Sequence, residues 1–272
     1  GYYEDLKSLG IDPADCEPRA TENIDDMVKH IEGLIAQGFA YEVEGDVYFN
    51  VRKFSDYGKL SGQTIDKMME AVRIEKDSKK SGLKLFVTAG LGGMSGAQPK
   101  AAKIAGLLSI TAEVNAKAIK KRFEQGWVDE VHKDLGKLIQ RVGMAKMNNE
   151  PRSFAYEGNI IDLLEYLAKE NIKVDIGTDQ TSLHNPWAGG YYPAEFTVEQ
   201  SNKMMAEQPM KFKQEVQRSL IRHANAVNRL CVQGMYFFDY GNAFLLEASR
   251  AGANILKPNG LFKYPVRRSV II

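Results

Sequence analysis

The chain is 272 residues long, 44% hydrophobic and 26% charged, which fits a globular protein of one large or two modest domains. Its net charge of +1 leaves no bulk electrostatic case for nucleic-acid binding, and no apolar run approaches the roughly 20 residues of a membrane span. Two cysteines, Cys16 and Cys231, give neither a disulfide framework nor a zinc-ligand spacing, and they fit a reducing, cytoplasmic compartment. The chain starts at Gly1 with neither an initiator Met nor a signal-peptide pattern, so it reads as a fragment. Net charge hides an asymmetry. Residues 1–82 hold 11 Lys and Arg against 17 Asp and Glu, whereas residues 83–272 hold 25 against 18. Such a split suggests two units of different origin.

In residues 1–82, Thr21 is expected to cap a helix carrying Ile24, Met27, Val28, Ile31, Leu34 and Ile35 on one face. Gly38 is its expected stop. Tyr41 to Val51 reads as a hairpin turning at Glu44-Gly-Asp46. A second helix is expected over Thr64 to Val72, followed by the charged run Arg73 to Lys80. His30 reads as solvent-facing or packed, and Cys16 sits in a loop without a partner. No catalytic set assembles.

Glu17-Pro-Arg-Ala-Thr-Glu22, the helix after it, Gly45-Asp-Val-Tyr-Phe-Asn-Val51 and Tyr57-Gly-Lys-Leu-Ser-Gly62 together resemble a stretch of cysteinyl-tRNA synthetase. It resembles the connective segment of that family's catalytic domain. The His-x-Gly-His signature, the Lys-Met-Ser-Lys-Ser loop and a Cys/His zinc set are missing, and Lys67-Met-Met-Glu70 is no substitute. The segment is therefore not expected to activate cysteine or charge tRNA. Its acidic balance makes any tRNA contact weak.

The second part opens with an apolar run, Leu85-Phe-Val87, that breaks into glycines at 90, 92, 93 and 96. A small-residue helix is expected from Ala97 to Leu108. Strand, glycine turn, helix is the order of a phosphate-binding unit, in which backbone N–H groups approach a pyrophosphate. The spacing is G-x-G-x-x-x-G rather than G-x-G-x-x-G, and a glycine-rich turn can also be only a turn. The next apolar run ends at Glu113, about where an acid meets adenosine ribose hydroxyls and disfavours a 2′-phosphate.

Asn115 to Phe123 reads as a helix whose Lys117, Lys120, Lys121 and Arg122 form a basic face, which is either solvated surface or, near a pyrophosphate, help in holding an anion. Val128 to Val142 is expected to continue as helix, with Val131, Leu135, Leu138 and Ile139 at core spacing. A strand at Ser153–Tyr156, a break at Gly158-Asn159, a helix from Ile160 and a strand at Lys173–Gly177 follow. This alternation predicts an α/β fold with a Rossmann-like, doubly wound parallel sheet, preceded by the small α+β segment. The polar, aromatic loop Thr178 to Pro193 begins where a strand ends, which is where open sheets bind ligands, although Asn-Pro and Gly-Gly also mark ordinary turns. Thr197 to Gly234 reads as helix broken at Pro209, with Cys231 and His223 packed. Met235 to Tyr240 reads as a strand leading to a helix over Ala243–Ala251. Polar groups at 90–98, 178–193 and 239–242 are thus expected to line one crevice.

Gly90-Leu-Gly-Gly-Met-Ser-Gly-Ala-Gln-Pro99, Thr178 to Pro186, Gly189-Gly-Tyr-Tyr-Pro193 and Phe238 to Gly252 closely resemble urocanase, urocanate hydratase, from about residue 83 to 265. The tail from 266 to 272 leaves the pattern. The resemblance implies an inserted NAD-binding Rossmann domain, with NAD as an electrophilic cofactor for adding water to urocanate in histidine degradation. It implies that Gly93, Met94 and Ser95 run under the NAD pyrophosphate and that Glu113 binds the adenosine ribose. Asn159 and Ile160 would border the adenine side. Gln180, Thr181, Ser182, Leu183, His184, Tyr191, Tyr192 and Tyr240 would complete the site. Ala118 stands where the family places an Arg, so Lys117 or Lys121 would stand in. The family's substrate and acid/base residues belong to a flanking core domain, and neither Cys16 nor Cys231 matches its reactive cysteine. The expectation is NAD binding, possible oligomerisation as in the family, no metal, no catalytic residue, and no turnover by this chain alone.

Overall fold

The computed structural model describes residues 2–12, 14–43, 45–56, 83–93 and 95–266. The chain divides into two units, residues 1–72 and 73–272. The expected helix over Thr64–Val72, the charged run after it and the Tyr57–Gly62 motif lie outside the described residues, as does Met94.

In the first unit, α1 (Tyr2–Ser8) precedes α2 (Ile24–Ala36). The start of α2 differs from expectation. Ala20–Glu22 forms a single 3-10 turn, so Thr21 lies before the helix and Asn23 takes the cap position. Asp25 and Asp26 then place negative charge in the first turn, where the helix dipole favours it. The stop is as read. Gly38 adopts φ +74°, its N–H donates to Ile35 O, and Phe39 N–H donates to Leu34 O, which is a Schellman closure. β1 (Ala40–Val43) and β2 (Asp46–Phe49) pair antiparallel, and Gly45 at φ +89° makes the turn.

The second unit is a parallel sheet in the order β5-β6-β4-β3-β7-β8. Its elements in chain order are β3 (Leu85–Ala89), α3 (Gln98–Ile104), β4 (Leu108–Glu113), α4 (Ala116–Glu124), β5 (Glu130–His132), α5 (Leu135–Met147) and β6 (Ser153–Glu157). There follow α6 (Ile160–Lys169), β7 (Ile176–Gly177), α7 (Val198–Glu207), α8 (Pro209–Val232), β8 (Tyr236–Phe237) and α9 (Phe244–Arg250). Successive residues of a strand face opposite sides of its sheet. Val87 and Thr88, and Ser109, Ile110 and Thr111, are all buried, so both faces of the centre are covered, as parallel sheets require. The doubly wound α/β reading therefore holds. Among the described residues no helix is long and apolar enough to cross a membrane.

Val128–Val142 is not one helix. Glu130–His132 forms an edge strand on β6, and Val131 is exposed. Tertiary contacts favour the extended form: Asp129 accepts hydrogen bonds from Ser153 N–H and Oγ, and Glu130 is held by Arg141 and Arg152. The hydrogen bond from Arg141, with a further one from Arg152, outweighs desolvation and holds the Glu130 carboxyl down at about 2. Helix resumes behind Asp134, whose side chain accepts Lys137 N–H.

Candidate functional site

The chain runs outward from β3 through β4 to the edge strand β5, returns to β6 between β4 and β5, then crosses to β7 and β8 on the other side. The connections leaving β3 and β7 part company there, which opens a crevice beyond the carboxyl ends of the strands. A cleft of about 260 Å³ occupies this place.

The loop after β3 is built around glycine for two separate reasons. Gly90 has φ +91°, and a Cβ on it would stand 3.0 Å from Ser95 Oγ and 3.1 Å from Gln180 O. Its N–H donates to Ala112 O. Gly92 N–H donates to Ser95 Oγ at 3.0 Å. Gly93 is exposed, and a Cβ there would meet nothing within 4 Å. The helix after the loop is shorter than expected: a 3-10 turn, Ser95–Ala97, precedes the seven residues of α3, and Gly106 at φ +75° ends it before Leu108 enters β4.

Glu113 ends β4 and reaches back to the loop. Its Oε2 accepts Leu91 N–H at 2.7 Å and its Oε1 accepts Asn115 N–H at 2.9 Å. Each carboxylate oxygen keeps a further lone pair, so the group can hold the loop and still accept from a ligand hydroxyl. Lys117 and Lys121 are exposed. The cation beneath the loop is Arg122, which is only 6% exposed. It donates from Nε to Leu91 O at 3.2 Å and from a second nitrogen to Gly92 O, and it lies over the Trp127 ring at 4.7 Å. The solvated-face reading of this run fails at Arg122, and its inward place leaves open the other reading, a cation near a bound anion. The available signal was its place three residues after Ile119, on the inward side of α4.

Asn159 has two tasks. Its Oδ1 caps α6 by accepting Ile161 N–H, and its Nδ2 donates to Tyr192 O, which ties the end of β6 to the loop after β7. Ile160, at the first turn of α6, is buried in the cleft wall. In the loop after β7, burial pushes the Asp179 carboxyl up to about 6. Its Oδ1 accepts from Thr181 N–H, Thr181 Oγ1 and Asn242 Nδ2. Gln180, Thr181 and Ser182 line the cleft, and Gln180 Nε2 is buried with no hydrogen-bond partner among the described residues.

Leu183 is fully buried core, and His184 is exposed and outside the lining. Tyr191 and Tyr192 line the cleft, yet both hydroxyls bond elsewhere: Tyr191 to His223 Nδ1 at 3.1 Å, Tyr192 to Asn202 Oδ1 at 3.0 Å. Burial holds His223 neutral, with its imidazole lowered to about 3. Tyr240 packs near Phe238 and does not line the cleft. The stretch 239–242 supports the site from behind, through Asn242 to Asp179 and Thr181 O. Two of the three expected polar stretches therefore share the cleft, and the third braces it.

Comparison with known proteins agrees with the α/β fold. Residues 58–267 match the family model described as the urocanase Rossmann-like domain. Residues 1–88 match the model of the class I (C) tRNA synthetase catalytic domain, so the two matches overlap over 58–88. The chain is 50% identical over 213 residues to a probable urocanate hydratase of Caenorhabditis elegans, covering 76% of this chain and 32% of that protein. It is 55% identical over 176 residues to one of Dictyostelium discoideum, covering 64% and 26%. The urocanate hydratase of Mus musculus is 48% identical over 190 residues, covering 67% and 28%. The chain thus spans a third or less of these curated relatives.

Proposed function

The chain belongs to the urocanase family through its Rossmann-like domain, and on that premise we propose that residues 83–265 are the NAD-binding module of a urocanate hydratase. The observation that carries the reading is the cleft at the switch point, with a glycine loop on one wall and the acid ending β4 on another. Its residues suit a dinucleotide. Gln180 Nε2 is a buried donor without a partner, Gly93 opens on free space, and Glu113 keeps acceptor capacity for ribose hydroxyls. The cleft lies just below the usual span of about 300–1,000 Å³ for small-molecule sites, and so suits the adenosine end better than the whole cofactor. Ser95, Asn159, Ile160, Gln180–Ser182, Tyr191 and Tyr192 are assigned to it, and His184 and Tyr240, with Met94, are assigned by resemblance alone.

When bound, NAD would supply an electron-poor nicotinamide ring as the electrophile that activates urocanate for addition of water. This chain's own residues bind and orient the cofactor. We place the groups that move protons and hold urocanate in the flanking core, so the chain by itself is not expected to turn over, and a cytoplasmic setting suits its free thiols. Calorimetry is the test: heat on adding NAD is expected, and none at millimolar NAD sinks the reading. Absorbance of urocanate should stay constant with the chain alone, and a rate abolished by Tyr240→Phe would contradict the inactive assignment. The match of residues 1–88 favours one further reading, that the first unit is a synthetase-derived segment joined near residue 82 and carrying no synthetase chemistry. Encoding DNA that is discontinuous across Lys79 to Leu83 would refute a real fusion.

A further inference from the structure

The geometry points to Arg122 as a positioning residue that orients the glycine loop and sets the affinity for the diphosphate of a dinucleotide; this rests on the NAD reading above. A guanidinium stays charged at any working pH, and burying a charge is unfavourable unless it is paired. Arg122 is buried, yet among the described residues its partners are neutral: the carbonyls of Leu91 and Gly92, the Gln125 side chain and the face of Trp127. No carboxylate stands within ion-pair distance of it among those residues. A cation without a counter-charge beneath a loop is matched by an anion above it.

The loop's own geometry gives the direction. In a trans peptide the carbonyl and the next N–H point opposite ways. With Gly92 O turned down to Arg122, the N–H of Gly93 is turned away from it, at a residue whose missing side chain faces open space. Arg122 thus fixes which way the loop's donors look. The same contact accounts for the odd glycine spacing. A Cβ on Gly96 would stand 2.1 Å from Arg122 Nε, so this last glycine makes room for the guanidinium.

Calorimetry on the full chain separates this role from plain support by comparing NAD with adenosine, which has no diphosphate. Arg122→Gln should weaken NAD about tenfold or more while leaving adenosine within about twofold, as loss of a charge-assisted anion interaction predicts. Arg122→Lys, which keeps the charge and loses the fork, should fall between. Equal losses for both ligands, or none for NAD, would overturn the proposal while leaving NAD binding intact. An unsubstituted chain that binds neither ligand overturns both readings. Should both Arg122 variants fail to fold, Trp127 emission decides in an otherwise intact Trp187→Phe chain. It should change on adding NAD and stay constant with adenosine, and a signal equal for the two sinks the idea.

Discussion

Helices α2 and α6 carry the same kind of apolar stripe, and their fates differ. In α6, Ile160, Ile161, Leu163, Leu164 and Leu167 are all buried against the sheet and its neighbours. In α2, Ile24, Met27, Val28, Ile31 and Ile35 are all exposed, from 38% to 54%. Among the described residues of the first unit only Ala40 is buried. A stripe at helical spacing makes a helix, but stabilisation follows the area it removes from water, about 25 cal/mol per Å². That area exists only where a second layer stands opposite. The six-stranded sheet is such a layer, and the two-stranded ribbon β1–β2 is not.

The comparison can be broken most directly in the two apolar stripes. Leu167, fully buried on α6, should cost about 2–5 kcal/mol when changed to Ala, whereas Ile31→Ala on α2 should cost less than about 0.5 kcal/mol. Thermal or denaturant unfolding reads both, and similar costs would show that the first unit has a core of its own.

Glycine tests the same contrast with a smaller effect. A Cβ on Gly190 would lie 2.1 Å from Ser182 O and 2.4 Å from Asn185 O, both backbone atoms that cannot step aside. Gly190→Ala should therefore destabilise by about 1–3 kcal/mol and weaken NAD binding, since the clash falls in the cleft wall. Gly33 in α2 has open space around it, and Gly33→Ala should stabilise by about 0.5–1 kcal/mol through helix propensity. Opposite signs in paired melts are the expected outcome, and equal signs would contradict it.

The smallest effect sharpens the comparison through pH. Between about pH 4 and 6 the native Asp179 keeps a proton that the unfolded chain, near its ordinary 3.8, has released. That contribution is present at low pH and lost as pH rises through about 6. His223 acts the other way. The unfolded imidazole takes a proton below about 6.5 while the native one stays neutral to about 3, so its contribution is present at neutral pH and lost as pH falls. The two slopes oppose one another. Asp179→Asn should make the melting midpoint climb more steeply from pH 4 to 6, and an unchanged slope would refute the assignment. No comparable pair exists among the described residues of the first unit, where no buried ionisable side chain is found.

Local signals carried much of the fold. Gly38 as a helix stop and Gly45 as a turn each act within a few residues, so spacing alone reveals them. The failures have two causes, one distant and one local. β5 is three residues long, too short for an alternating pattern, and what keeps it extended is Arg152, 22 residues further on. The start of α2 moved because a 3-10 turn and a helix turn look alike in composition.

The site divides in the same way. Glu113 and the loop of Gln180, Thr181 and Ser182 could be placed at strand carboxyl ends from the apolar runs, whereas Asn159, which also lines the cleft, was pointed to by the family resemblance alone. Arg122 was hidden in a run of lysines, where only its spacing from Ile119 marks it as the cation that turns inward.

The order of strands and helices apart from β5, the glycine loop and the family were determined by the sequence itself, because periodicity and motif are properties of neighbouring residues. Only the tertiary structure decided that Glu113 grips Leu91, that Arg122 lies under Gly92, and that Tyr240 stands outside the cleft. Those partners are brought together by the packing of layers, and the identity of a side chain does not encode what the sheet will bring beside it.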